Sequence, residues 1–86
     1  MQKRRVVIGI EEQLDATPVA RLVQLASDYE SKIYFDFEDK CINAKSFMGM
    51  MNLQLQKGME VDLLADGPDE TEALDRIEEF LTEEEA

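Results

Sequence analysis

Two short stretches hold the side chains whose types and spacing could support chemistry. In LDATPVA, residues 14–20, the carboxylate of Asp15 precedes the hydroxyl of Thr17 and the ring of Pro18. In KCINAKSFMGMM, residues 40–51, Ser46 follows Lys45 and opens an apolar run, with Lys40 and Cys41 just upstream. A carboxylate at such a turn could do chemistry or only start the helix. Asp is also among the best helix N-caps, and a proline is tolerated in a first helical turn, so capping suffices to explain Asp15. Ser46 stands at the N-cap of a predicted helix, where its hydroxyl can accept an orphan amide. A phosphate added there would meet free amides, the positive end of a helix dipole and Lys45, with Lys40 expected nearby. Cys41, between Lys40 and Ile42 in a strand-like stretch, is read as a packing residue rather than a reactive thiol, which needs an exposed, electropositive niche.

The absences are as informative. The chain has no histidine and a single cysteine. No serine can therefore have a histidine partner, no internal disulfide can form, and no metal-ligand cluster of the usual His and Cys type is available. Drawing a catalytic pair from twenty acidic residues carries little weight, so an enzyme, a resident metal and a cofactor are all disfavoured. With 86 residues the chain is read as one domain, 1–86, too small for two lobes around a deep cleft. Twenty acidic against nine basic side chains give a formal charge of −11, which repels phosphate backbones and anionic lipid alike. Direct contact with nucleic acid or a membrane is not expected. The basic residues cluster as Lys3, Arg4 and Arg5 at the start and as Lys40, Lys45 and Lys57 in the middle, which makes the middle the place for an anionic group. No run has transmembrane length or a signal-peptide layout, and a cytoplasmic protein is the plain reading.

The elements that must position these residues follow from hydrophobic period. RVVIGI, residues 5–10, alternates as a strand with Val6, Ile8 and Ile10 inward. From Asp15 the spacing turns helical, with Val19, Leu22, Val23 and Ala26 on one side and Arg21, Gln24 and Asp28 on the other. KIYFDF, residues 32–37, then Glu38-Asp39, then Lys40 to Asn43 read as a hairpin. A short second helix covers the run from Ser46 to Leu55, stopped by Lys57-Gly58. EVDLLA, residues 60–65, is a fourth strand, and after Gly67-Pro68 a last helix opens with Asp69 and Glu72 at capping-box spacing. Its stripe is Ala73, Leu74, Ile77, Phe80 and Leu81, and its acidic tail, Thr82 to Ala86, opposes the helix dipole and should fray. The order βαββαβα predicts an α+β fold: a two-layer, open-faced sandwich with a four-stranded antiparallel sheet covered on one face by three helices.

The second helix is apolar on too many sides. Met50 and Leu53 can share a buried face, which leaves Phe47, Met48 and Met51 on another stripe. Methionine suits an adaptable docking patch, yet a core filled with methionine would look the same in sequence.

With these residues laid out, the chain resembles the HPr family, the small histidine-phosphocarrier proteins of the bacterial sugar phosphotransferase system. AKSFMGMMNL, residues 44–53, is similar to the family's regulatory-serine segment K-S-[IF]-M-G-x-M, and Ala16 and Pro18 match the alanine and proline of its active-site turn, G-[IL]-H-A-R-P-A. By that resemblance Asp15 stands where the phosphorylated histidine belongs and Thr17 where the phosphate-holding arginine belongs, while Arg21 lies one turn on and partly compensates. The resemblance is greatest to the Crh branch, the catabolite-repression HPr-like proteins that lack the histidine and keep the serine. Members of that branch usually carry glutamine and arginine at the positions of Asp15 and Thr17.

The resemblance implies a non-enzymatic regulator. Ser46 would be phosphorylated by an ATP-dependent HPr kinase/phosphorylase, and the product would act as corepressor of a LacI-type regulator in carbon catabolite repression. Phe47, Met48, Met51, Lys40, Lys45 and Arg21 would then form the partner surface of a monomer or weak homodimer. Two other readings stay open: a diverged interaction protein that uses the Phe47, Met48 and Met51 patch on another cytosolic enzyme, and a phosphocarrier that uses Asp15.

Overall fold

A computed structural model describes residues 1–10 and 16–82. Asp15 and the tail beyond Thr82 lie outside the described residues, so the capping of Asp15 and the fraying of residues 83–86 are not addressed by it. The elements run β1 (Gln2–Val7), α1 (Ala16–Ser27), β2 (Lys32–Phe37), β3 (Lys40–Asn43), α2 (Phe47–Leu53), β4 (Glu60–Asp66) and α3 (Glu70–Thr82). The four strands form one antiparallel sheet in the order β1-β4-β2-β3, with Val6 opposite Val61, Phe35 opposite Leu63 and Phe35 opposite Ile42.

Alternation sorts the sheet into two faces. Val6, Ile33, Phe35, Val61, Leu63 and Ala65 point to the helices and are fully or almost fully buried. They meet Val19, Leu22 and Ala26 of α1, Met50 and Leu53 of α2, and Ala73, Leu74, Ile77 and Leu81 of α3. Val23, Phe37 and Phe80, expected in the core, are partly buried at its margin. The opposite face is open, with Lys3, Arg5, Asp36 and Asp62 on it beside Val7, Tyr34 and Leu64; Arg5, and secondarily Lys3, hold the Asp62 carboxyl below the usual aspartate range.

Two boundaries and one cap differ from expectation. The first strand starts and ends earlier than residues 5–10. Its outer half hides in the sequence because the helix-facing positions Gln2 and Arg4 are polar; they are satisfied by Thr71 and by Asp75 and Glu78 of α3, the Arg4 contacts at 2.6 and 3.1 Å. Beyond Val7 the chain leaves the ladder but stays bonded. Ile8 N–H donates to Met59 O at 2.8 Å, and the amides of Gly9 and Ile10 donate to Leu81 O at 2.9 and 3.1 Å, which satisfies a carbonyl at the end of α3. That is why Ile8 and Ile10 remain buried outside the strand.

The second helix ends at Leu53, not at Lys57-Gly58. Leu53 and Leu55 are both buried, yet residues two apart point about 200° apart around a helix, so the helix must stop for both to face inward. Gln54 makes the stop by entering the left-handed region at φ 52. Gly58, at φ 93, instead turns the chain into β4, and its N–H donates to Ile8 O at 2.7 Å.

The third difference is at α3. Asp69 O accepts the Ala73 N–H at 2.9 Å as an N-cap carbonyl should, but the Asp69 carboxylate crosses the fold to the α1–β2 loop. The expected capping box is thereby redirected.

Candidate functional site

Helix α2 sits close against β3 because its third residue, Gly49, has no side chain. A Cβ on Gly49 would lie 2.9 Å from Ile42 Cγ2 and 3.2 Å from Ser46 Oγ, so this glycine permits the close approach. The chain reaches α2 through a turn set by Asn43, whose Oδ1 accepts Lys45 N–H at 2.8 Å while its carbonyl accepts Ser46 N–H at 3.0 Å. Ser46 then adopts an extended backbone, φ −102 and ψ 109, and its Oγ accepts Gly49 N–H at 3.2 Å. This is the N-cap the sequence predicted, and the residue is exposed.

The apolar residues of α2 separate as their helical angles require. Met50 and Leu53 are in the core; Phe47 is 39% exposed, Met48 72% exposed, and Met51 is partly buried against the core. Of the two possibilities the composition left open, an outward patch and a methionine-filled core, the fold contains both: Met50 fills the core while Phe47 and Met48 face out. On α1, Thr17 and Arg21 are both exposed and four residues apart, hence on one face.

The cations expected at Ser46 are placed differently. Lys45 Nζ donates to Tyr29 O at 2.7 Å, beyond the end of α1, so this ammonium is engaged with a backbone carbonyl. Lys40 starts β3 opposite Phe37, at the hairpin end, while Ser46 follows the other end of that strand; the strand alone separates them by roughly 10 Å. Cys41 is exposed on this edge strand, which corrects its reading as a packing residue: its position faces the open side of the sheet, and no helix covers it. The triplet Lys3, Arg4 and Arg5 is spent on ion pairs with Asp62, Asp75, Glu78 and Glu60. Among the described residues no cluster of His, Cys, Asp and Glu could hold a metal, and no helix is long and apolar enough to cross a membrane.

A second polar cluster, which sequence reasoning missed, lies at the start of α3. Asp69 accepts the amides of Glu30 and Ser31 at 2.9 and 3.0 Å and the Ser31 hydroxyl as well. The Ser31 hydroxyl first, then the Glu30 amide, hold the Asp69 carboxyl below the usual aspartate range. Ser31 is completely buried, and a Cβ on Gly67 would come within 2.6 Å of its Cα. The sequence signal at Asp69 was that of a local cap, and nothing in it points across the fold to Ser31.

The open-faced sandwich carries an exposed, helix-capping serine beside outward apolar residues, and the chain holds no imidazole. The family of the PTS HPr component phosphorylation site matches residues 2–83, and the chain belongs to it. It is 38% identical to the HPr-like protein Crh of Bacillus subtilis (strain 168) over 84 residues, 98% of this chain and 99% of that protein. The crystal structure of the phosphocarrier protein HPr from Bacillus anthracis str. Ames superposes with a TM-score of 0.88 at 31% identity, covering 93% of this chain and 95% of that one. The crystal structure of Bacillus subtilis Crh, described as a domain-swapped, intertwined dimer, gives 0.77 at 37% identity, with 100% and 99% covered. The chain is thus HPr-like and Crh-like in both sequence and fold.

Proposed function

We propose that this protein is a non-enzymatic cytoplasmic regulator switched by phosphorylation of Ser46, with HPr kinase/phosphorylase as the modifying enzyme. The phosphorylated form acts as corepressor of a LacI-type regulator in carbon catabolite repression. One observation carries the reading: an exposed Ser46 whose hydroxyl is held on Gly49 N–H, directly beside exposed Phe47 and Met48. A new dianion next to an apolar patch is a local change that a partner can read through its own cations and apolar groups.

The histidine arm of the family has no counterpart. The chain holds no histidine, and Thr17 leaves the family's arginine position without a cation, so phosphocarrier chemistry at Asp15 has only Arg21, one turn on, in place of the family's clamp. The charge of −11 means that DNA is reached only through a basic partner. Lys45 serves to hold the lead-in to α2 rather than to bind phosphate, since its ammonium is on Tyr29 O. The expected assembly is a monomer or a weak homodimer, and the relative's dimer supports the second.

The test is incubation with HPr kinase/phosphorylase and ATP, followed by intact-mass spectrometry, with Ser46→Ala as the control. One phosphate on the parent protein and none on the variant is the expected result. Partner binding that survives Ser46→Ala would instead favour the diverged interaction protein, and a hydroxylamine-sensitive phosphate would favour a carrier using Asp15.

A further inference from the structure

We infer that Met48 is a reversible oxidation site, and that its sulfoxide form disables the apolar patch beside Ser46. The consequence rests on the regulatory reading above; the site itself does not. Helix α2 carries three methionines within four positions, and the fold grades their access to an oxidant. Met48 is 72% exposed, Met51 is partly buried against the core, and Met50 is completely buried. Met59 is also partly buried, and its sulfur accepts Gln56 N–H at 3.1 Å, which engages one of its two lone pairs. Met1 is exposed too, but it lies at the start of β1 beside Asp66 and Glu70, away from α2.

The reaction requires a peroxide. The thioether sulfur attacks one peroxide oxygen, forming an S–O bond as the O–O bond breaks. The departing hydroxide takes the proton left on the transferred oxygen, so the products are a sulfoxide and water; sulfur is oxidised by two electrons and the peroxide is reduced by two. Reaction is fastest at the sulfur that solvent reaches most freely, and in α2 the most exposed methionine is Met48, ahead of partly buried Met51 and buried Met50.

The position also limits the damage. Sulfoxidation of a core methionine would disrupt packing, but Met48 already projects into water, so its S–O dipole stays solvated and Met50 continues to fill the core. The change is confined to the surface next to Phe47, where an apolar, adaptable group becomes a strong acceptor that a docking partner must desolvate. Enzymatic reduction of the sulfoxide restores the thioether, which makes the change a switch.

Because Cys41 is exposed and also reacts with peroxide, the experiment uses the Cys41→Ser protein. It is treated with graded hydrogen peroxide and mapped by peptide mass spectrometry. Treated and untreated samples are then compared for the initial rate of Ser46 phosphorylation by HPr kinase/phosphorylase. Within α2 and at Met59, the sulfoxide is expected at Met48 first and not at Met50, with phosphorylation slowed about tenfold and restored by methionine sulfoxide reductase. Met48→Leu, compared with its own untreated sample, should no longer respond to peroxide. Oxidation of Met51 or Met59 as early as Met48 overturns the site, and a Met48 sulfoxide that leaves the phosphorylation rate unchanged overturns the switch. Should the untreated protein accept no phosphate, the regulatory reading falls, and the peptide map alone upholds or overturns the oxidation site.

Discussion

The starts of α2 and α3 look alike in sequence, each a small polar residue before an apolar stripe, and the fold uses them in opposite ways. Ser46 keeps its hydroxyl on its own helix, at Gly49 N–H, and remains exposed beside Phe47 and Met48. Asp69 gives its carboxylate to Glu30 and Ser31, across the molecule, and is consumed in holding the α1–β2 loop to the β4–α3 turn. A helix cap that stays local is available for modification, whereas one recruited into tertiary structure is not. Two helix starts of one chain therefore divide the work, one presenting a group and the other fastening the fold.

The largest expected effect is at the fastening end. Gly67→Ala would drive a Cβ to 2.6 Å from Ser31 Cα, a backbone atom that cannot swing away, and should cost about 2 kcal/mol in urea unfolding. Phosphorylation of Ser46 in the folded fraction should be unchanged.

Asp69 can be separated from its neighbours by pH. Its carboxyl titrates lower in the folded chain than its ordinary value of 3.8, so the stability it contributes is present above that value and is lost as the pH falls through the folded pKa. Asp69→Asn should lower stability at neutral pH and flatten the acid limb of the curve below pH 3.8; an unchanged acid limb would remove Asp69 from its fastening role.

At the presenting end the effects on stability shrink. Ser46→Ala loses one solvent-exposed cap and should cost about 1 kcal/mol in the same assay, while removing all phosphorylation. Phe47→Ser should stay within about 0.5 kcal/mol of the parent, because the ring is substantially exposed, yet weaken partner binding. A Phe47→Ser protein that unfolds at markedly lower urea would place the ring in the core and blur the contrast between the two ends.

Most of the architecture was legible because each element carries one clean period. Val61, Leu63 and Ala65 alternate, Ala73, Leu74, Ile77 and Leu81 recur at helical spacing, and the helix start at Ser46 is marked by a capping residue before an apolar run. Legibility failed where polar residues do structural work at a distance. The outer half of β1 has no legible period because Gln2 and Arg4 face the helices and are satisfied only by side chains 69 to 74 residues away. The end of α2 is hidden because a stop at Gln54, made by a non-glycine residue at positive φ, has no strong composition signal.

By itself the sequence determined the element order, the inward faces and the exposed serine, since these follow from local spacing and from capping chemistry that involves neighbours along the chain. Tertiary structure alone decided which polar groups remain available. Lys45 goes to Tyr29, Asp69 to Ser31 and Arg4 to α3, because a side chain's partner depends on which distant backbone or carboxylate the folded chain brings within hydrogen-bond reach.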